Sequence, residues 1–178
     1  KDAAVMQTYV LEEKGDLLVE GEAVGTKIGQ GKVNVIESAK DIGNFQKGQV
    51  LVTDMTDPDW EPIMKIASAI VTNRGGRTCH AAIISRELGI PCVIGTGDGT
   101  SKITIGTNVT VDCSEGVGRI YDSLLKFRVD ELKLEEIPDA VQKTFREATG
   151  NRPGPALLEI YEDAFLSKLE EKDLPIFQ

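Results

Sequence analysis

The 178-residue sequence predicts an α/β domain, on three observations. Buried-looking apolar runs alternate with helical sequence between residues 49 and 95, a pattern typical of right-handed βαβ crossovers and a parallel sheet. Glycine turns separate further short β-rich runs on both sides of that stretch. Hydrophobic residues make up 40% of the chain and charged residues 28%, which is an ordinary composition for a globular domain.

The first part of the domain is predicted to form strands followed by a short helix. The helix is predicted from residue 58 to about Ala67, since Thr56 or Asp57 can cap it and Pro58 suits the first helical position. The strands before it are recognised by alternating or compact apolar residues between glycines. They are predicted at residues 16–24, 31–38 and 48–55.

The second part continues the strand and helix alternation. A continuous apolar run at 68–73 predicts a buried strand, and a helix follows with Thr78 as its N-cap and Gly89 at its end. Another buried strand is predicted at 91–96, followed by a glycine-rich loop at 95–101. Residues 102–123 return to short strands with glycine turns, which predicts an antiparallel element packed on the parallel one.

Three regions follow from this division of the chain. We expect an N-terminal linker at 1–16, the α/β domain at 17–123, and a C-terminal linker with an appended helical or α/β segment at 124–178. Charged helical sequence begins at residue 124, and 124–136 is interpreted as a linker or an edge element. A chain that starts at Lys1 without a methionine is expected to be a fragment of something larger.

Charge and cysteine content exclude several classes of partner and setting. A formal net charge of −9 argues against nucleic acid and anionic membranes as partners, because both bind basic surfaces. No apolar run approaches the roughly 20 residues of a membrane span, and the N-terminus lacks the pattern of a signal peptide. The three cysteines are an odd number without CxxC spacing, which indicates reduced thiols and predicts a cytoplasmic protein.

His80 is the only histidine, and its neighbourhood suggests chemistry. With Thr78 as N-cap, the imidazole lies in the first helical turn beside unpaired backbone N–H groups. That position favours an anion attached to the ring by about 0.3–1 kcal/mol. Gly75 and Gly76 lack side chains, so the loop backbone can approach a phosphate closely, and arginines on either side could add donors.

Several alternatives compete for these residues. A lone histidine at a loop and helix junction is often a plain surface residue. Cys79 and His80 as nucleophile and base would point about 100° apart on a helix, and a metal site lacks ligand spacing. The glycines do not form a Walker A loop, because the GxxxxGK[ST] pattern is absent. The remaining interpretation is covalent catalysis, in which His80 itself accepts a phosphoryl group and then transfers it.

The stretch "TNRGGRTCHAAIISRELGIPCVIGTGDGT" at 72–100 closely resembles the phosphohistidine motif of the phosphoenolpyruvate-utilising enzymes. Residues 51–73 are similar to the dikinases of that family that act on pyruvate and water. The resemblance covers about residues 17–123 and implies a swivelling β/β/α phosphohistidine domain. Its histidine would accept a phosphoryl group from ATP at one active site and deliver it to pyruvate at another, giving phosphoenolpyruvate, AMP and phosphate.

Roles carry over from the resemblance residue by residue. His80 is the expected phosphoryl carrier, through its Nε2 atom, and a carrier is expected to expose this ring at the helix end. Thr78 supplies the neighbouring hydroxyl, while Gly75, Gly76 and Arg77 are expected to contact the phosphate. The 95–100 loop is expected near the histidine but outside the catalytic set.

The same resemblance implies partners rather than a self-sufficient enzyme. An ATP-binding domain and a pyruvate- or phosphoenolpyruvate-binding domain of the same enzyme are expected, with ATP and Mg²⁺ bound there and neither cofactor nor metal in this domain. A non-catalytic docking or regulatory phosphohistidine module is the alternative. Residues 149–165 are reminiscent of a stretch that closes the pyrimidine-binding domain of thiamine-diphosphate enzymes, and a fusion, a cloning artefact and coincidence all stay open as its origin.

Overall fold

The computed structural model describes residues 5–133. The chain divides into two compact units, Gln7–Glu131 and a second of Lys1–Met6 with Leu132–Gln178. The expectations for an appended segment, and the resemblance noted at 149–165, lie outside the described residues.

Nine strands and three short α-helices lie within the described residues. The strands are β1 (Val5–Leu11), β2 (Leu17–Val24), β3 (Ile28–Val35), β4 (Val50–Thr53), β5 (Ala69–Thr72), β6 (Cys92–Ile94), β7 (Asn108–Asp112), β8 (Val117–Asp122) and β9 (Phe127–Lys133). The helices are α1 (Glu61–Met64), α2 (His80–Leu88) and α3 (Gly99–Lys102), with 3-10 turns at Ala39–Asn44 and Pro58–Trp60.

Strands β2 to β8 close into a barrel in the order β2-β6-β5-β4-β3-β7-β8. Strands β3, β4, β5 and β6 are parallel neighbours. Strands β7 and β2 run antiparallel to their neighbours on either side, and β8 lies between them. The predicted α/β class and the parallel strands with crossover helices are confirmed. Closure of the antiparallel strands onto the parallel ones was not predicted.

Two apolar cores result from this closure, one inside the barrel and one between the barrel and its helices. On β4, Val50 and Val52 belong to the inner core, whereas Leu51 belongs to the outer one. All three side chains are fully buried, which typically contributes about 1.5–3 kcal/mol each. Burial on both faces explains why the central strands read as continuous apolar runs instead of alternating ones.

The predicted helix from residue 58 to Ala67 is shorter and divided. A 3-10 turn at Pro58–Trp60 leads into α1, which ends at Met64. Asp57, one of the two predicted caps, accepts a hydrogen bond from the Asp59 N–H and so begins the turn. Helix α3 begins within the glycine-rich stretch at 95–101 that was predicted as a loop.

The flanks of the barrel hold a strand pair that the sequence interpretation missed. Strand β1, inside the predicted linker at 1–16, pairs with β9 in a two-stranded sheet. The rings of Tyr9 and Phe127 stack with centroids 6.1 Å apart, and the Glu12 N–H donates to the Lys126 carbonyl. The helical interpretation of the charged sequence after residue 124 is therefore wrong over β9. The edge-element alternative describes it better, since aromatic and β-branched residues alternate with charged ones there.

Candidate active site

His80 lies in the first turn of α2, as the sequence predicted, but it is the first helical residue instead of the second, because the helix is capped differently. Cys79 occupies the N-cap position in an extended conformation and makes no side-chain cap hydrogen bond. The Cys79 N–H donates to the Gly76 carbonyl, and the Cys79 carbonyl accepts from the Ile83 N–H. The prediction of Thr78 as N-cap is therefore wrong, because the turn from Gly76 to Cys79 moves the helix start one residue onward.

Thr78 is exposed in this turn. Its hydroxyl makes no hydrogen bond to any residue that the structure describes. The structure thus places Thr78 two residues from His80 without a contact that would hold the imidazole. A role in transfer would require it to act on the phosphoryl group or on a partner instead.

Two side chains from the segment after β4 approach the imidazole instead. The Thr56 hydroxyl oxygen lies 2.9 Å from Nδ1 of His80, and Oε1 of Glu61 lies 3.6 Å from Nε2. Thr56 is buried, with 6% of its surface exposed. Its hydrogen bond fixes the orientation of the ring and leaves Nε2 as the nitrogen without a hydrogen-bond partner among the described residues.

The ring is less accessible than a carrier was expected to be. The His80 side chain is 21% exposed, and its Nε2 atom is covered from solvent. The expected exposure is therefore wrong for Nε2, the nitrogen expected to carry the phosphoryl group. Glu61, the first residue of α1, places its carboxylate beside this edge of the ring, with Oε1 3.6 Å from Nε2.

Sequence reasoning missed Thr56 and Glu61 as site residues. Thr56 was considered only as a helix cap, a role that Asp57 fills. Its contact with His80 spans 24 positions, so no local pattern contains it. The available signal was topological, because segments that follow neighbouring parallel strands meet at one end of the sheet.

The two glycines before the helix differ in what the backbone requires of them. Gly75 has φ +132°, and a Cβ built there would lie 2.8 Å from the Cys79 Sγ atom. A Cβ at Gly76 would meet nothing within 4 Å. Only Gly75 is therefore required by the folded loop, while Gly76 remains open for close approach of a ligand.

Arg77 is engaged in protein contacts at the same loop. Its guanidinium forms an ion pair with Glu22 on β2, and its carbonyl accepts from the Arg86 guanidinium at 2.8 Å. A phosphate contact by Arg77 would require the pair with Glu22 to open. The contact predicted for Arg77 stays a prediction.

The loops after β4, β5 and β6 are tied together beside the histidine. Asn73 donates to the Thr100 hydroxyl at 2.7 Å and accepts from the Thr100 N–H at 3.0 Å. The side chain of Arg74 donates to the Asp54 carboxylate, and this hydrogen bond holds the pKa of Asp54 below its usual value. A Cβ at Gly95 would lie 3.2 Å from the Gly75 carbonyl oxygen, so the glycine-rich loop does lie against the loop that precedes the helix.

The cysteines do not join the histidine in a catalytic pair. All three are free, and Cys92 and Cys113 are buried. Burial raises the pKa of both buried thiols, that of Cys113 to about 12. Cys79 packs against the outer core, and the polar groups at the two ring nitrogens of His80 are Thr56 and Glu61. The site is thus an imidazole at a helix start, with Nδ1 bonded to Thr56 and Nε2 without a hydrogen-bond partner among the described residues.

Part of the chain matches a known protein family and its members. Residues 45–116 match the family described as PEP-utilising enzyme, mobile domain, where PEP is phosphoenolpyruvate. The chain is 57% identical to phosphoenolpyruvate synthase of Escherichia coli over 76% of its own length and 17% of that protein. It is 55% identical to the synthase of Deinococcus radiodurans over 78% of its length and 18% of that protein.

A solution structure of Enzyme I aligns over 62% of this chain and 41% of that one, at 25% identity and a TM-score of 0.39. The present chain spans less than a fifth of the length of the curated relatives given above. Among the residues that the structure describes, none of the helices has the length and apolar character needed to cross a membrane.

Proposed function

Since residues 45–116 match the mobile domain of the PEP-utilising enzymes, we propose that this chain is the phosphoryl carrier of a pyruvate, water dikinase. In that reaction ATP, pyruvate and water give phosphoenolpyruvate, AMP and phosphate. The main support for the proposal is the hydrogen bonding of the two ring nitrogens of His80. Its Nδ1 is held by Thr56, while Nε2 has no hydrogen-bond partner among the described residues.

The chemistry of the carrier follows from that arrangement. Nε2 attacks phosphorus, an N–P bond forms, and the bond from phosphorus to the donor oxygen breaks with its electron pair going to that oxygen. Nδ1 carries the ring proton in the reacting form, and the Thr56 hydroxyl oxygen accepts a hydrogen bond from this N–H group. The start of α2 offers unpaired backbone N–H groups beside the phosphoryl group, an arrangement that favours bound anions.

Partner domains of the same enzyme complete the proposal. Curated relatives are much longer than this chain, so the ATP-binding and pyruvate-binding domains would be supplied by the rest of such an enzyme, together with Mg²⁺. A cytoplasmic setting is proposed with them, supported by three free thiols. A docking module without phosphoryl transfer is not favoured, because the histidine and its Thr56 support are both present.

Transfer in trans tests the proposed function. The chain is mixed with the remaining domains of a relative and radiolabelled phosphoenolpyruvate, or with the same domains and labelled ATP. We expect label on the chain from either donor, and none on the His80→Ala variant. The chain alone should form no phosphoenolpyruvate from ATP and pyruvate. An absence of label from both donors, with the partner domains shown to be active, would favour the docking-module alternative.

A further inference from the structure

Two polar side chains, those of Thr56 and Glu61, lie close to the imidazole of His80. They differ in whether they can donate a hydrogen bond to the ring or only accept one. The Thr56 hydroxyl can donate or accept, so it suits Nδ1 with or without a proton. The Glu61 carboxylate, when ionised, only accepts. At 3.6 Å it is beyond hydrogen-bond distance from Nε2, yet Nε2 is covered from solvent and has no other polar partner in the described part of the chain.

We propose that Glu61 is a positioning residue that gates the carrier. It holds unphosphorylated His80 in the form with a proton on Nε2 and covers that nitrogen until the carboxylate turns away. The inference deepens the proposed function and rests on its assignment of Nε2 as the phosphoryl acceptor. In this proposal the ring is in its resting state when the Glu61 carboxylate lies beside Nε2, and in its reactive state when the carboxylate has turned away.

The surroundings of Glu61 permit both positions. Glu61 is the first residue of α1, and 38% of its side chain is exposed, so the carboxylate can turn into solvent. Within the described residues no lysine or arginine forms an ion pair with it. The proposed resting contact requires Oε1 to move from 3.6 Å to within hydrogen-bond distance of Nε2.

The proton balance explains why the carboxylate must leave. With a proton on Nε2, the lone pair needed to attack phosphorus is absent. When Glu61 turns away, water takes the Nε2 proton and supplies one to Nδ1, so the ring stays neutral and Thr56 changes from donor to acceptor. Nε2 can then form the N–P bond while the donor oxygen leaves with the bonding electrons.

After transfer, charge keeps the gate open. The phosphoryl group on Nε2 is an anion, and a carboxylate close to it would be repelled more strongly in a partly buried site than in water. Glu61 is therefore excluded from its resting position while His80 is phosphorylated. Delivery of the phosphoryl group lets the carboxylate return, and the free carrier is again covered.

A matched control lies two residues away on the same turn. Asp59 carries the same charge, and its backbone N–H donates to the Asp57 carboxylate. Among the described residues, Glu61 alone brings a carboxylate oxygen within 4.0 Å of a ring nitrogen. Asp59→Asn therefore removes one negative charge from the same segment without touching the proposed gate.

The test uses two measurements on the whole chain, in the parent, Glu61→Gln and Asp59→Asn. Nitrogen-15 spectra report the tautomer of His80 without ambiguity, because it is the only histidine. Phosphoramidate, a small phosphoryl donor, reports the reactivity of the ring without any partner domain. We expect Glu61→Gln to show a larger share of the Nδ1–H form and several-fold faster phosphorylation of His80, with Asp59→Asn equal to the parent.

The outcomes separate this proposal from the proposed function. Equal phosphorylation rates in Glu61→Gln and the parent, or an equal change in Asp59→Asn, would overturn the gate while leaving the carrier assignment intact. A tautomer shift in Glu61→Gln with phosphate found on a residue other than His80 would support the contact and overturn the carrier assignment.

Discussion

The Thr56 hydroxyl oxygen lies 2.9 Å from Nδ1 of His80, although 24 positions of sequence separate the two residues. Thr56 follows β4 and His80 begins the helix after β5, and β4 and β5 are parallel neighbours. The sheet therefore brings the two together at one end of the barrel. This contact fixes the orientation of the ring and leaves Nε2 as the nitrogen without a hydrogen-bond partner among the described residues.

Removing the Thr56 hydroxyl should weaken both the fold and the transfer reaction. Thr56→Val keeps the shape of the side chain but leaves Nδ1 of a mostly buried ring unpaired, which typically costs about 1–3 kcal/mol. Thr56→Ser should retain most of the parent's behaviour. Urea unfolding gives the stability change, and label transfer to His80 gives the activity. Transfer at the parent rate in folded Thr56→Val would contradict a positioning role.

Thr78→Ala should hardly change stability. Thr78 is exposed and is not the N-cap of α2, so its removal should change the free energy of unfolding by no more than about 0.5 kcal/mol. A true N-cap would cost about 1 kcal/mol. If phosphoryl transfer nevertheless falls in Thr78→Ala, while Thr78→Ser transfers normally, the hydroxyl acts on the phosphoryl group or a partner domain. Unchanged transfer in both variants would remove Thr78 from the site.

Substitution by alanine should destabilise the fold at Gly75 and hardly affect its stability at Gly76. Gly75→Ala places a Cβ 2.8 Å from the Cys79 Sγ atom at φ +132°, and such backbone strain costs about 1–3 kcal/mol. Gly76→Ala meets open space and should change stability by about 0.5 kcal/mol or less. Thermal unfolding of the pair compares them directly. A Gly76→Ala variant that is folded but transfers poorly would indicate close approach of the phosphate to that backbone.

Stability should fall at alkaline pH partly through a buried thiol. Desolvation raises the pKa of Cys113 from 9.0 to about 12 in the folded chain, so the unfolded chain releases this proton at lower pH. The contribution of Cys113 to the free energy of unfolding is therefore complete below 9.0 and is lost as the pH rises to about 12. Across that interval the stability of Cys113→Ala should depend less on pH than that of the parent. Parallel curves would show that another group accounts for the loss.

The central strands could be predicted because strands buried on both faces have uninterrupted apolar sequences. The run containing β5 is apolar without interruption, and Ile70 faces one core while Val71 faces the other. Gly89 was likewise predictable as the end of α2, since its φ of +66° suits glycine. His80 stood out as the sole histidine within a glycine-rich motif.

The errors have a common physical cause, which is contact between distant parts of the chain. Strand β9 has the charged composition of a surface helix, and pairing with β1 stabilises it as a strand instead. Thr78 has the residue type of a cap, but the hydrogen bond from the Cys79 N–H to Gly76 moves the helix start. Glu61 looks like a favourable first-turn residue, and only the folded chain brings its carboxylate to the ring.

The most direct measurement is the chemical location of the phosphate after transfer in trans. The labelled chain is digested under mild alkaline conditions, its phosphopeptide is sequenced, and phosphorus and nitrogen spectra assign the bonded atom. The account predicts one phosphate on Nε2 of His80, labile in acid and stable in base, and no label in His80→Ala. Phosphate on Thr78, on Cys79 or on Nδ1 of His80 would contradict it.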